Sequence, residues 1–368
     1  MAYIGIGIFI FGIVRLVVSF INWVCRPYLP EPGTFENPPL VSILIPARNE
    51  EKKIEKLLND LVCVDYHPLE IWIYDDCSTD STQEIVKRYV AAYRHIHLLE
   101  GKKLPPGWLG KNFACYQLAA VAQGEKLLFL DADVRVNKEI IRKSLRYTAT
   151  YELKLLSVFP TQQMPSWGSR LVVPLMNWIL LSLLPLPLVR LSDHPSLSAA
   201  NGQFMLFDAK EYRHMQPHSL FRNNQVEDIA ILNEYKRRKL KSATLLGADD
   251  VCCTMYSSSK EGIEGFSKNV FQFFGGSRVL TICFALVTPL APFYLFIFNK
   301  PIYGWLYLLI ILFIRIFVSL ASYQPVAQNL LLLVPQQIIF WIIIISAFIK
   351  SKYKNLTWKG RNISSVSS

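Results

Sequence analysis

Residues 126–133 read KLLFLDAD, and two earlier stretches have the same form: VSILIPARNE at 41–50 and EIWIYDD at 70–76. Each is a short apolar run that stops abruptly in polar or acidic residues, the pattern of a buried strand meeting a sheet edge. The spacing predicts strands over 41–45 (stopped by Pro46), 70–74, 95–99 and 126–130. Between them, Ile54, Leu57, Leu58 and Leu61 recur at helical period. Ser81, with Glu84 three residues on, predicts a capping box opening a helix through Ile85, Tyr89 and Val90. Residues 111–123 read as a further helix. Strands spaced by helices pair in parallel through right-handed crossovers, which predicts an α/β fold with a mostly parallel sheet. In such sheets ligands sit beyond the carboxyl ends of the strands. Two of the four strands end there in aspartates, at Asp75–Asp76 and Asp131–Asp133.

The chain has 368 residues, 52% hydrophobic and 18% charged, with a mean hydropathy of +0.26. That excludes a disordered chain, a disulfide scaffold and a collagen-like repeat. The apolar surplus is localised. Residues 3–24 are long enough to span a bilayer and lack a cleavage site, so 1–26 read as an N-terminal membrane anchor. Runs at 279–298, 302–321 and 329–349 read as C-terminal membrane helices, and 350–368 as a basic polar tail. Arg15 and Arg315 fall inside such runs. Residues 171–191 are apolar too, but Pro174, Pro185 and Pro187 argue for an interfacial or re-entrant segment over a straight span. The domain between, 39–276, has the character of a water-soluble protein. The seven cysteines of the chain form no CxxC, consistent with a reducing compartment for this part. The net charge of +11 suits an anionic partner. No basic-aromatic motif accompanies it, so nucleic acid is not expected. The cluster Lys236, Arg237, Arg238, Lys239 and Lys241 reads as a solvated helix face or a contact for lipid phosphates.

Asp131 and Asp133 repel one another unless a cation or several donors hold them ionised. They either cap the following turn or bind Mg²⁺ or Mn²⁺, which take carboxylate oxygens together with substrate phosphate. Asp76 can accept from a base or ribose, while Asp80 fits a helix N-cap. Glu50 can take a ribose hydroxyl, with Asn49 capping a helix as the structural alternative. Lys111, at a helix start, meets a phosphate or stands as an exposed loop lysine. Glu227 and Asp228 head a helix, where they complement its dipole or supply a general base. The six histidines show no ligand spacing, and His194, His214 and His218 read as surface or loop residues. No GxGxxG or GxxxxGK[ST] string occurs.

In order, VSILIPARNEE, IYDDCSTDST, PPGWLGKNFACYQLA, LLFLDADV, NQVEDIAI and GFSKNVFQFFGG resemble family-2 glycosyltransferases of the GT-A fold, over roughly residues 40–276. PPGWLGKNFA and the terminal TWKGRNI most resemble the membrane-bound carotenoid (diaponeurosporenoate-type) and hopanoid-associated enzymes. The resemblance implies a Rossmann-like GT-A domain with transmembrane helices. It also implies an inverting transfer of one sugar from a nucleotide-diphosphate donor to a membrane lipid, with Mn²⁺ or Mg²⁺ as cofactor. It assigns Asp228, beside Glu227, as general base. Asp133 with Asp131 would address the metal. Pro46, Glu50, Asp76, Lys111, Asp131 and Lys268 would line the nucleotide-sugar site. The QxxRW string of processive synthases is absent, and GFSKN at 265–269 stands near its place. A polysaccharide synthase or export subunit, or an inactive lipid-binding scaffold, are the alternatives.

One active site needs both the metal motif and Asp228, so 171–191 should not cross the bilayer. Cytosolic donors put the domain on the cytoplasmic side of a multi-pass cell-membrane protein. Three full tail spans would then place Lys350, Lys352, Lys354, Lys359 and Arg361 outside, against the positive-inside tendency. One tail segment is therefore expected not to span.

Overall fold

A computed structural model describes residues 2–353, 357–358 and 361–362. Lys354 and Lys359 of the expected basic tail lie outside the described residues. The chain forms two compact units. One is built from Met1–Arg26, Gln162–Leu186 and Thr254–Leu356, the other mainly from Pro27–Thr161 and Pro187–Cys253. Residues 162–186 and 254–276, placed in the water-soluble domain by sequence, thus belong to the first unit.

That first unit is helical. Four of its helices are long and apolar enough to cross a membrane: Tyr3–Cys25, Arg278–Phe298, Pro301–Ala321 and Leu333–Lys350. The last begins four residues later than the hydropathy run suggested, because Val326–Leu331 forms a short helix of its own. Residues 171–191 break where their prolines demand, into Trp167–Val172 and Pro174–Leu183 of this unit and Pro187–Leu191 of the second. Gly12 lets the ring of Tyr307 lie against the first helix, where an added Cβ would come within 2.6 Å of it.

The second unit is an α/β layer built on a seven-stranded sheet. Its spatial order is Ile96–Glu100, Leu69–Asp75, Val41–Ala47, Lys126–Leu130, Phe204–Asp208, Leu155–Phe159 and Ser242–Leu246. All neighbours pair in parallel except Phe204–Asp208, which runs antiparallel to both of its own. The sheet is buried on both faces, as parallel sheets are. Val41, Ile43, Ile45, Ile71, Leu128 and Leu206 join its core, against which Ile54, Leu57, Leu58 and Leu61 set one face of the helix Ile54–Val62.

Several local expectations change. The first strand does not stop at Pro46 but runs on to Ala47, in register with Tyr74 and Asp75. Its pairing with 126–130 ends at Leu44, two residues before the proline that lacks an N–H. Ser81 makes no capping bond. Asp80 instead accepts from Thr82 N, the first amide of the helix, at 3.0 Å. Asn49 caps no helix; in a left-handed conformation (φ 53°) it accepts from Thr79 N and joins two loops. Lys236 is buried and donates to Ser192 O at 2.7 Å, so that part of the basic cluster is not solvated.

His214 and His194 are exposed, but His218 is buried in an aromatic cluster with Phe129, Phe207 and Tyr212. Tyr212 Oη lies 2.7 Å from its Nδ1. Burial, with the nearby charge of Lys111, pushes the His218 pKa down to about 3. The folded state therefore binds fewer protons than the unfolded state below an ordinary histidine's pKa, and stability must fall as pH falls through that window. Between pH 7.5 and 5.5, the wild type should lose about 1.4 kcal/mol that a His218→Gln variant does not. Chemical denaturation at the two pH values checks this. Equal losses in the two proteins would contradict it.

Candidate active site

The carboxyl ends of three adjacent parallel strands carry Arg48, Asp76 and Asp131, each just beyond the last paired residues. Helix Gly110–Val121 brings Lys111 to this edge. Its Nζ lies 2.7 Å from Asp131 Oδ1 and 3.8 Å from Glu227 Oε1. The next residue, Asn112, explains why Glu227 is there. Its buried amide donates to Phe221 O and Asn224 O at 2.9 and 3.1 Å, fastening the loop that leads into helix Glu227–Arg237. Burial alone would lower the ammonium's pKa, but the carboxylates of Asp131 and Glu227 outweigh it and hold Lys111 above its ordinary value. Burial in turn lifts Glu227 to about 7, against the pull of Lys111 and with the push of Asp228. Asp228 is raised as well, first by burial.

The segment Asn201–Gly202–Gln203, immediately before the antiparallel strand, ties these groups together. Gly202 N donates to Asp228 Oδ2 at 2.9 Å, and Gly202 O accepts from Lys111 Nζ at 3.3 Å. Asp131 N donates to Gln203 O, and Gln203 Nε2 donates to Asp133 Oδ1 at 3.1 Å and to Cys253 Sγ at 3.0 Å. A Cβ on Gly202 would stand 3.2 Å from Lys111 Nζ and 3.3 Å from Glu227 Oε1, so any larger residue would push these side chains by a few tenths of an ångström.

Asp133 also faces Lys53, whose Nζ is 3.4 Å from Oδ2. Burial lowers the Lys53 pKa, yet Asp133 and Glu50 outweigh it and leave a raised value. The two repelling aspartates are thus each held by a lysine. Among the described residues, no group of three or more His, Cys, Asp or Glu side chains could hold a metal ion unaided. Asp133 with Asp131 still fits Mn²⁺ or Mg²⁺ by chemistry: hard oxygens, too few to form a cage, leaving positions for substrate phosphate.

Asp76 is buried and paired with Arg48, whose Nη1 lies 3.9 Å from its Oδ2 and donates to its main-chain oxygen. Glu50 donates its N–H to Thr82 Oγ1 and caps the first helical turn through its carbonyl. Pro46 lies within the first strand, and Lys268 belongs to helix Ser259–Asn269 of the helical unit. Of the residues expected from sequence, Lys111 pairs directly with Asp131 and Glu227, Asp228 joins through Gly202 N, and Asp133 through Gln203. Lys53, Asn112, Gly202 and Gln203 were not anticipated. The string NGQ ahead of the apolar FMLFD was the one sequence signal for Gly202 and Gln203.

Residues 42–171 match the family model described as glycosyl transferase family 2. The 4,4'-diaponeurosporenoate glycosyltransferase of Staphylococcus aureus (strain USA300) is 27% identical over 244 residues, covering 65% of this chain. The chain spans 62% of the length of that relative. The protein of the same name in strain NCTC 8325 / PS 47 matches equally. A solved structure, mannosyltransferase PcManGT from Pyrobaculum calidifontis in complex with GDP-Man and Mn²⁺, aligns at a TM-score of 0.55 and 16% identity. It covers 96% of this chain and 99% of its own, a likeness that shows the fold alone.

Removing the ammonium would leave the clustered carboxylates uncompensated. Lys111→Met should therefore lower unfolding stability by about 3 kcal/mol, and adding Glu227→Gln should restore part of the loss. Thermal unfolding of the three purified proteins checks this. A Lys111→Met protein as stable as wild type would contradict it.

Proposed function

We propose that this chain, whose residues 42–171 match the glycosyl transferase family 2 model, is a glycosyltransferase of GT-A fold that transfers a single sugar, with inversion, from a nucleotide-diphosphate sugar to a membrane lipid. The observation that carries the reading is the convergence of Lys111, Asp131, Glu227 and Asp228 on the sheet edge that binds ligands, with Asp133 beside them. In this reading Asp76 takes the nucleobase, Glu50 a ribose hydroxyl, and Pro46, near the end of the first strand, lies beneath the donor. Asp131 orients the sugar, and Asp133 with Asp131 holds Mn²⁺ or Mg²⁺. When bound, the cation would neutralise charge on the departing diphosphate. Lys111 and Lys53 add positive charge on the same side.

The acceptor hydroxyl must lose a proton as the glycosidic bond forms. Asp228 is the receiving group: Gly202 N and Ile229 N fix its two oxygens at 2.9 and 2.8 Å, so the base is aimed before the acceptor arrives. Burial, with the nearby charge of Asp131, raises its affinity for that proton. A lipid acceptor is supported by the four long apolar helices and by the name of the relative, a 4,4'-diaponeurosporenoate glycosyltransferase. A membrane location with the sheet domain in the cytoplasm, where nucleotide sugars are made, completes the proposal. The lack of QxxRW favours one transferred sugar over a polymer.

Full-length protein in nanodiscs should release nucleoside diphosphate from at least one common donor with Mn²⁺, with a lipid product gaining one sugar by mass spectrometry. Asp228→Asn and Asp133→Asn should each lower turnover by roughly 10²-fold or more. A product carrying a sugar chain would support a synthase instead. Absence of turnover with every donor, or full activity in Asp228→Asn, would overturn the assignment.

A further inference from the structure

We infer that the helical unit carries a binding site for the oxyanion head of an amphiphile, formed by Arg15 and Arg315. The inference rests on the proposed membrane setting of that unit but concerns binding alone. It stands whether or not the bound molecule is the sugar acceptor. Arg15 lies in helix Ala2–Cys25 and Arg315 in helix Pro301–Ala321, and each is only 3% exposed. Both guanidinium groups lie on the ring of Trp178, at 5.1 and 4.4 Å from its centroid. Arg15 is also over Phe284 at 4.8 Å.

Their polar partners are neutral. Arg15 donates from Nε and Nη2 to Ser182 Oγ at 3.2 and 2.9 Å, and Arg315 donates from Nη1 to Gln336 Oε1 at 3.0 Å. Arg315 Nε is buried with no hydrogen-bond partner. Among the described residues, no Asp or Glu forms an ion pair with either arginine. Two like charges therefore share one aromatic ring without a counter-charge.

Each position is deep in its helix: Arg15 is roughly 18 Å along from Tyr3 and Arg315 roughly 21 Å along from Pro301, at 1.5 Å per residue. A charge at such depth in a membrane is costly unless it is matched. Cation–π contact offsets part of that cost for a desolvated pair and leaves the net charge in place. A guanidinium presents five N–H donors in a planar fork suited to carboxylate or phosphate, and most of those donors are not used by the bonds above. One oxyanion shared by the two forks would satisfy Arg315 Nε and balance the charge. Its tail would run along the apolar rings that line the site. A free anion would not reach this depth, so an amphiphile is the fitting class.

The test uses full-length protein purified in a neutral detergent and titrated at pH 8 with oleate, oleyl phosphate and oleyl alcohol, read by thermal midpoint. One oxyanion or both should raise the midpoint saturably while the alcohol does not, and the tighter of the two names carboxylate or phosphate as the head group. Arg315→Gln should weaken that binding at least tenfold, and Arg315→Lys should fall between. Equal protection by oleyl alcohol, or unchanged binding in a folded Arg315→Gln, would overturn the inference. If the variants do not fold, the wild-type comparison of the oxyanions with the alcohol decides. UDP binding, measured on the same samples, is expected to be unchanged in Arg315→Gln. Failure of wild-type protein to bind any nucleoside diphosphate would count against the transferase reading and leave this one standing.

Discussion

Charge balance around one ammonium is the constraint on which the acidic sheet edge depends. Asp131 and Glu227 come from segments nearly a hundred residues apart, and their carboxylates can share a partly buried space because Lys111 Nζ stands between them. Asp228, next in the chain, is held by main-chain amides instead. The balance is local, and the backbone makes it possible. Gly202 brings both an N–H and a carbonyl into the cluster, with no Cβ to crowd Lys111 and Glu227. Asn112 serves the same end from the other side, since its amide fixes the loop that delivers Glu227.

The antiparallel strand Phe204–Asp208 turns this arrangement into a site. A purely parallel order would send the chain away from the ligand edge after each strand. Reversing one strand makes its amino-terminal end meet the carboxyl end of Lys126–Leu130, in the register Leu130↔Phe204. Residues 201–203 are thereby set beside Asp131 and Asp133, where Gln203 bonds to both segments. The paired acids thus acquire distinct surroundings: Asp131 and the Glu227–Asp228 pair around Lys111, and Asp133 between Lys53 and Gln203. Groups placed so differently can perform different tasks on one substrate.

Much of this was legible in the sequence, for a physical reason. The strands ending at residues 75 and 130 are apolar runs too short for helices, and a charge at the end of a buried strand has few places to go. That made the α/β class and the acidic ligand edge readable. The lysines were not readable as partners, because nothing in a linear string says that residue 111 faces residue 131 or that residue 53 faces residue 133. The reversed strand escaped notice because FMLFD lacks an alternating pattern and follows a long apolar segment. His218 and Lys236 were misjudged because their neighbours in sequence are polar, while their neighbours in space are aromatic rings and a main-chain oxygen. Pro46 misled in the opposite sense: pairing on one side ends before it, so a proline can continue that strand.

The most direct measurement of the central claim is electron paramagnetic resonance of Mn²⁺ added to full-length protein with and without UDP or GDP. If Asp133 and Asp131 form an incomplete oxygen site that a diphosphate completes, one ion should bind tightly only with the nucleotide present, and Asp133→Asn should abolish that binding. Manganese held equally well without nucleotide, or unaffected by the substitution, would contradict the account.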